Sequence, residues 1–345
     1  MTQQSLQSAL DFCTYPPLGQ EDWQYTFASA RARVLEAAMF TRGALLDMAN
    51  SPDFGQAVDM LGASDYALPT GGKTFTELEN ILSLKRAECR KLFADMMIKA
   101  KIVEIFRSRD DFANIRLALR RTLTEKPIDA DYSNDGNVAA EHFEEIFEQE
   151  NYSLLPNHMR EAVERAVLAF YQNKDIRQID FAVDAVQAQY NLETAAQLKS
   201  IFLLGLFRTQ IDLTNIRTML RLKLAESDQV DAFLPGGYIE PGRFKHGLDI
   251  GYEAIGPMFF ATPYYEVVEP GATYFMANKS FLKLEQRCEE HLTGFLKSTM
   301  QITAGPQPVI AYLLLKENEI RTIRLIMTAK KNGLDAKLIL DRVGE

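Results

Sequence analysis

The chain has 345 residues, 47% hydrophobic and 25% charged, with 47 acidic against 38 basic side chains and a formal net charge of −9. That is an ordinary globular composition, and the acidic balance argues against general nucleic-acid binding, which needs clustered Lys and Arg against phosphates. The three cysteines, Cys13, Cys89 and Cys288, are too few and too far apart for a disulfide framework, so a reducing compartment is expected.

The opening residues 1–24 hold Pro16, Pro17 and Gly19 and read as an irregular arm. No Lys or Arg occurs in them, so the positive region of a secretion signal is missing. Residues 27–49 are rich in Ala, Arg and Leu, which favours helix. Ser51 followed by Pro52 reads as an N-cap with proline at the first helical position, opening a short helix to Leu61. Pro69, Gly71 and Gly72 mark a loop. A long helical stretch follows over 74–107 and continues, with a break near Asp110, to Thr124, where Pro127 stops it.

Residues 129–137 form a polar loop. Helices are expected at 139–149, 157–173 and 176–190, and Asn191 is expected to cap another reaching Ala225. Pro235, Gly236, Gly237, Pro241 and Gly242 punctuate the next loop. Helices are then expected near 242–252 and 278–303. The patch 259–274, with Thr262, Tyr264, Tyr265, Val267 and Val268, reads as extended. Pro306 and Pro308 interrupt the path, a last helix runs over 309–331, and Asn332 with Gly333 is a C-cap signal. The purest apolar run, over 201–207, is far short of the roughly 20 residues a membrane span requires. Attachment to a membrane would therefore go through an embedded partner.

Three of these stretches superpose. Asp111, Asn114, Ile115 and Arg116 recur as Asp212, Asn215, Ile216 and Arg217, and again as Glu319, Thr322, Ile323 and Arg324. Apolar positions match too: Phe112, Leu213 and Ile320, then Leu119, Leu220 and Met327. Arg120 and Arg221 also correspond, whereas the third copy has Thr328. The spacing is too long for a solenoid unit and suits a small domain. The expected organisation is an arm (1–24) and three similar helical modules (25–127, 128–235 and 236–345) arranged with pseudo-threefold symmetry. An apolar stripe at i, i+3 and i+7 explains helix packing. It does not explain the recurring acid, amide and guanidinium, which are expected to bond each other or a neighbouring helix. The arginines then either fix one module against the next or line a surface that grips a partner.

Catalytic constellations are thin. Residues 67–74 (ALPTGGKT) fit a loose phosphate-loop pattern through Lys73, but no strand precedes them, so they read as a helix-start loop. Cys288 and His291 lack a second ligand pair for zinc. His142, His158, His246 and His291 read as surface or capping residues. The pairs Glu144–Glu145 and Glu289–Glu290 read as solvated faces, and Met96–Met97 as core filler. No nucleophile elbow occurs, and no catalytic residue, metal or cofactor is expected.

The third copy, 317–324 (ENEIRTIR), resembles the C-terminal signature of the C subunit of rotary V-type and A-type ATPases, the family of the eukaryotic d subunit. Residues 25–36 (YTFASARARVLE), followed by Thr41 and Arg42, resemble that family's opening helix. Residues 175–180 (DIRQID), 212–217 (DLTNIR) and 235–237 (PGG) match in order, so the resemblance covers about 23–343. The N-terminal arm is longer than the family's usual start, and Thr322 and Thr328 depart from the threefold polar set.

The resemblance implies an all-α, funnel-like body of three modules, non-catalytic and without cofactor. It implies a place between the proteolipid rotor ring and the central-shaft subunits of D and F type, peripheral on the cytoplasmic face of the membrane. It also implies torque transmission that couples ATP turnover elsewhere to H⁺ or Na⁺ movement. Arg116, Arg217, Arg221, Arg321 and Arg324 are the candidate contact or inter-module residues, with Lys330 and Lys331 beside them. The alternative is a free-standing helical adaptor that holds a protein partner in a concave surface.

Overall fold

The computed structural model describes residues 14–68, 73–124, 128, 130–227 and 232–344. All regular structure among them is helical. The chain separates into two compact units. One is continuous, Lys99–Asp249, and the other joins the two ends, up to Ile98 and from Ile250.

The continuous unit holds α1 (Ala100–Thr124), α2 (Ala140–Glu148), α3 (Asn157–Asn173), α4 (Arg177–Gln197), α5 (Ile201–Leu224) and α6 (Pro241–Asp249). Its core draws Phe112, Ile115 and Leu119 from α1, Phe143 from α2, Met159 and Val163 from α3, and Ile179 and Val183 from α4. Each such fully buried large side chain contributes about 1.5–3 kcal/mol. Helix α5 is apolar on several sides, with Phe202, Leu206, Ile211, Ile216, Met219 and Leu220 all buried.

The unit formed by the chain ends holds α7 (Thr26–Ala37), α8 (Arg42–Asn50), α9 (Phe54–Asp59) and α10 (Phe75–Met96) from the N-terminal side. It also holds α11 (Tyr252–Met258), α12 (Tyr265–Asn278), α13 (Leu282–Ser298), α14 (Pro306–Lys331) and α15 (Ala336–Val343). Helix α14 is its axis, packing against α7, α8, α9, α10 and α13. Ile320, Ile323, Ile326 and Met327 of α14 share one core with Met48, Leu61, Leu78 and Leu82 from the other end of the chain.

Several boundaries differ from the sequence expectation, each for a local reason. The stretch 27–49 is two helices, because Thr41 turns extended and its hydroxyl caps α8 by accepting from the Ala44 amide. Ser51 closes α8 rather than opening the next helix. Its hydroxyl donates to the Met48 carbonyl, and Asp53 caps α9. The break in the long stretch falls after Met96, where Met97 is extended, and α1 runs straight through Asp110. Asn191 lies inside α4. The cap is Ser200, just after Lys199 in left-handed backbone. Pro306 and Pro308 begin α14, which tolerates proline in its first turn, where amides lack helical partners.

The patch 259–274 is the larger correction. It folds mostly into α12, and Val267, Val268, Ala272 and Phe275 pack inward. Gly271 lets α12 approach Leu284 of α13, where a Cβ would lie 2.8 Å from a leucine methyl. Tertiary packing here overrides the strand preference of β-branched residues. Helix α15 has no counterpart in the sequence expectation. It is short, capped by Asp335, and anchored by Ile339. The helix start at Thr74 is as expected, closed by a capping box with Glu77 that the sequence reading did not include, and the Asn332–Gly333 stop is as expected. The expected loop at 69–72, the stop at Pro127, and Cys13 lie outside the described residues.

Two histidines depart from the surface expectation. His158 stacks on Tyr190 at 3.9 Å between ring centroids, beside Phe112. His291 sits between Tyr15 and Tyr264. Burial holds both imidazoles down to about 4, with the charge of Lys101 adding to the shift at His158. His142 and His246 are exposed.

A folded-state value below the ordinary 6.5 means the fold favours neutral imidazole. Stability is then complete above about pH 6.5 and is lost as pH falls from there towards about 4, by about 1–3 kcal/mol per histidine. Urea midpoints at about pH 7 and about pH 4.5 should show this loss. His158→Phe and His291→Phe together should reduce it, and an equal pH dependence in that variant would refute the assignment.

Candidate functional site

The recurring acid and amide are structural clamps. In α1, Asp111 is fully buried, and its Oδ1 accepts the amides of Asn137 (2.8 Å) and Val138 (3.0 Å). In α5, Asp212 is fully buried and accepts the amides of Tyr238 (2.9 Å) and Ile239 (3.1 Å). The offsets are the same. Asn114 forms a two-way bond with Ser133, accepting its amide at 2.8 Å and donating to its carbonyl at 2.9 Å. Asn215 does the same with Leu234, both at 2.8 Å. One carboxylate and one amide thus fasten each following loop to its helix. Burial pushes the Asp111 carboxyl up, while the amide donors of Val138 and Asn137 pull it down.

The clamp requires glycine beside it. A Cβ on Gly136 would sit 2.2 Å from the Asp111 carboxylate, and one on Gly237 2.1 Å from that of Asp212. Gly136 and Gly237 share the repeat offset, a correspondence that pairwise comparison of the helices alone does not reach.

In the third copy no equivalent loop follows, and the N-terminal segment fills the place. Glu319 accepts the Phe40 amide at 2.7 Å and the Tyr66 hydroxyl at 2.6 Å, and pairs with buried Lys316 at 2.8 Å. Glutamate reaches one methylene further than aspartate, and the residue before its backbone donor is Met39 rather than glycine. Burial, then the charge of Glu319, keeps the Tyr66 phenol protonated and donating. Thr322, in place of asparagine, donates to Asn318 of its own helix at 2.9 Å and fastens no loop.

The arginines divide. Arg116 pairs with Asp184 of α4 and donates to Gln187 at 2.9 Å, and Arg120 pairs with Asp180. Arg324 donates from Nε to both oxygens of Glu79 on α10, at 3.0 and 2.9 Å. These are helix-to-helix ties of partly exposed groups, each contributing about 0.2–1 kcal/mol. Arg217 is half-buried on α5, and Arg221 is exposed in its last turn. Arg321 donates to Asn318 at 2.6 Å and pairs with Glu289 at 3.2 Å.

The Glu289–Glu290 pair is not the solvated face without convergent partners that the sequence suggests, and the structure corrects this. Glu289 lies between Arg321 and Arg342, the latter bidentate at 2.7 and 2.6 Å. Glu290 lies between Arg42 (2.9 Å) and Arg287 (3.1 Å). The partners come from distant parts of the chain, so no local pattern marks them. Together they wall a cleft of about 630 Å³ between α8, α13, α14 and α15.

The remaining lures are plain. Lys73 pairs with Asp59 at 2.5 Å, both well exposed. Met96 and Met97 are core residues, and the Tyr25 hydroxyl donates to the Met97 sulfur. Cys89 and Cys288 are buried thiols, and burial pushes Cys89 up to about 12, so it stays unreactive. Among the described residues no group of three or more His, Cys, Asp or Glu could hold a metal, and no helix is long and apolar enough to cross a membrane.

These features define an all-helical protein whose repeated elements serve architecture. Residues 28–342 match the model of the ATP synthase (C/AC39) subunit family, and the chain belongs to that family. Its members are the C-type subunits of rotary ATPases, non-catalytic stalk components. The chain is 24% identical to the C-type subunit of the A-type ATP synthase of Pyrococcus abyssi, over 95% of this chain and 93% of the relative. It is 24% identical to the corresponding protein of Thermococcus kodakarensis, over 94% and 92%. It is 22% identical to the C-type subunit of the V-type sodium ATPase of Enterococcus hirae, over 77% and 82%.

The clamp asymmetry is measurable. Asn215→Ala strands a buried amide and carbonyl of Leu234 and is expected to cost about 2–6 kcal/mol, from about 1–3 for each orphaned group. Thr322→Ala should cost under about 1 kcal/mol. Equal losses in urea unfolding would show that the loop bond is not what the asparagine supplies. Gly237→Ala should destabilise by about 1–3 kcal/mol through the carboxylate clash, and an unchanged midpoint would refute the close approach.

Proposed function

We propose that this chain is the spacer between the central shaft and the membrane rotor ring of a rotary ATPase, turning with the rotor and transmitting torque. The observation that carries the reading is the family match, which runs nearly end to end, so it concerns the whole body and not a borrowed segment. The clamps support it. A torque-transmitting element must not yield at its loops, and Asp111, Asn114, Asp212 and Asn215 fasten theirs with buried or part-buried hydrogen bonds, which are stronger away from water.

In this proposal the three modules stand around a common axis and form a funnel. Central-shaft subunits of D and F type enter its mouth, and the proteolipid ring bears on its other face, on the cytoplasmic side of the membrane. Stable interfaces bury about 1,200–2,000 Å² in total, and two are needed. ATP turnover and ion passage belong to other subunits. Arg217 and Arg221 are the proposed shaft contacts, while Arg116, Arg321 and Arg324 hold helices in place within their own units.

Co-expression with the host's shaft subunits, followed by native mass spectrometry, tests this. The expected species is a 1:1:1 complex that also captures the detergent-solubilised ring. A lone monomer that ignores both would overturn the reading and favour a free-standing adaptor. Arg217→Glu should lower shaft capture at least about tenfold, about 1.4 kcal/mol, in protein whose far-ultraviolet circular dichroism shows the helices intact. Unaltered capture removes Arg217 from the contact set.

A further inference from the structure

The cleft between α8, α13, α14 and α15 is not used by the clamps. Its walls carry six cationic side chains against three carboxylates. One of those carboxylates, Glu319, is already engaged by Phe40, Tyr66 and Lys316. Glu289 and Glu290 each stand between two arginines. Lys283 and Lys297 add two further charges with no ion pair among the described residues. A local cationic surplus of this kind is notable in a chain of net charge −9. Screening is weaker in a concave site than on an open surface.

A second observation points to a ligand. Gln286, on the cleft wall, is 2% exposed, yet its Oε1 has no hydrogen-bond partner among the described residues. Arg287, next in sequence, also has a buried Nε without one. Buried polar atoms are nearly always satisfied. The wall therefore offers an unused acceptor beside unused donors. A simple polyanion could meet the donors but brings no N–H for the Gln286 oxygen. An extended acidic peptide brings both, through its carboxylates and its backbone amides. Leu45, Leu315, Leu325 and Val343 complete the walls and suit the aliphatic stems of such side chains. The volume of about 630 Å³ lies in the range of about 300–1,000 Å³ typical of ligand sites.

We propose that this cleft docks a short Asp- or Glu-rich segment of a partner chain. The inference goes beyond the spacer reading and is independent of it, since it concerns the isolated chain without shaft or ring.

Fluorescence anisotropy with the full chain and a labelled, short Asp/Glu peptide tests it. The acidic peptide should bind at least about tenfold tighter than its Asn/Gln counterpart, and more weakly as salt rises. Lys283→Glu with Lys297→Glu should weaken it at least about tenfold at an unchanged thermal midpoint. Gln286→Met should weaken the peptide while leaving competition by inorganic tripolyphosphate unaltered. Equal binding of acidic and neutral peptides, or indifference to the lysine double variant, overturns the proposal. Loss of tripolyphosphate and peptide binding in equal measure on Gln286→Met also overturns it, because the amide would then be shaping the cleft, not reading a backbone.

Discussion

The fold depends on one recurring constraint: a carboxylate buried on a helix must find backbone amides or leave a charge stranded. An ionised carboxylate without partners in the interior is far too costly to keep. At Asp111 and Asp212 the partners are two consecutive amides of the loop that follows, so loop and helix are bound into one piece. Most other local features follow from this. Gly136 and Gly237 are needed because the carboxylate occupies the space of a Cβ. Asn114 and Asn215, one turn further along, secure the start of the same loop. The arginine a half-turn beyond can tie a neighbouring helix, as Arg116 does with Asp184.

The third copy shows the same constraint solved with different material. Glu319 has no downstream loop of this kind, so it draws on Phe40 and Tyr66 from the other end of the chain. That change of source helps tie the two termini, which also share one apolar core, into one unit. It has a kinetic consequence. The continuous unit can close its clamps over sequence separations of about two dozen residues, whereas α14 must meet partners some 250–280 residues away. Such distant closure carries the larger entropic cost before any contact rewards it. The burial of Ile320, Ile323, Ile326 and Met327 against Met48, Leu78 and Leu82 is the compensation.

Much of this was legible in the sequence. The repeated helices, their apolar stripes and the corresponding polar triplets were visible because period and offset are local properties. What the polar residues bond to was not, because the partners are backbone amides, which every residue carries. The arginine partners Asp184 and Glu79 escaped for another reason: nothing in a single sequence relates them across 68 and 245 positions. Boundaries failed where a hydroxyl could serve either of two helices, as at Ser51, which closes α8 instead of opening α9. The patch 259–274 failed because β-branched and aromatic residues were weighed by propensity. Val267, Val268 and Phe275 are helical because α13 offers them a surface. The cleft was invisible, since Arg42, Glu289, Arg321 and Arg342 acquire meaning only together.

The contrast between clamps and cleft bears on how such a body works. Both oxygens of Asp212 and the amide of Asn215 bond the chain's own loop backbone, and these bonds fasten the loops. The cleft has the opposite character. It holds more cations than its own carboxylates neutralise, and an amide oxygen without a hydrogen-bond partner among the described residues. Stability alone would favour filling or neutralising it, because an unsatisfied buried acceptor costs about 1–3 kcal/mol. Unpartnered buried atoms occur elsewhere among the described residues too, as at Asn191 and Thr209, but in this cleft one stands beside surplus positive charge, where the chain's two ends meet and against the helix on which that whole unit is built.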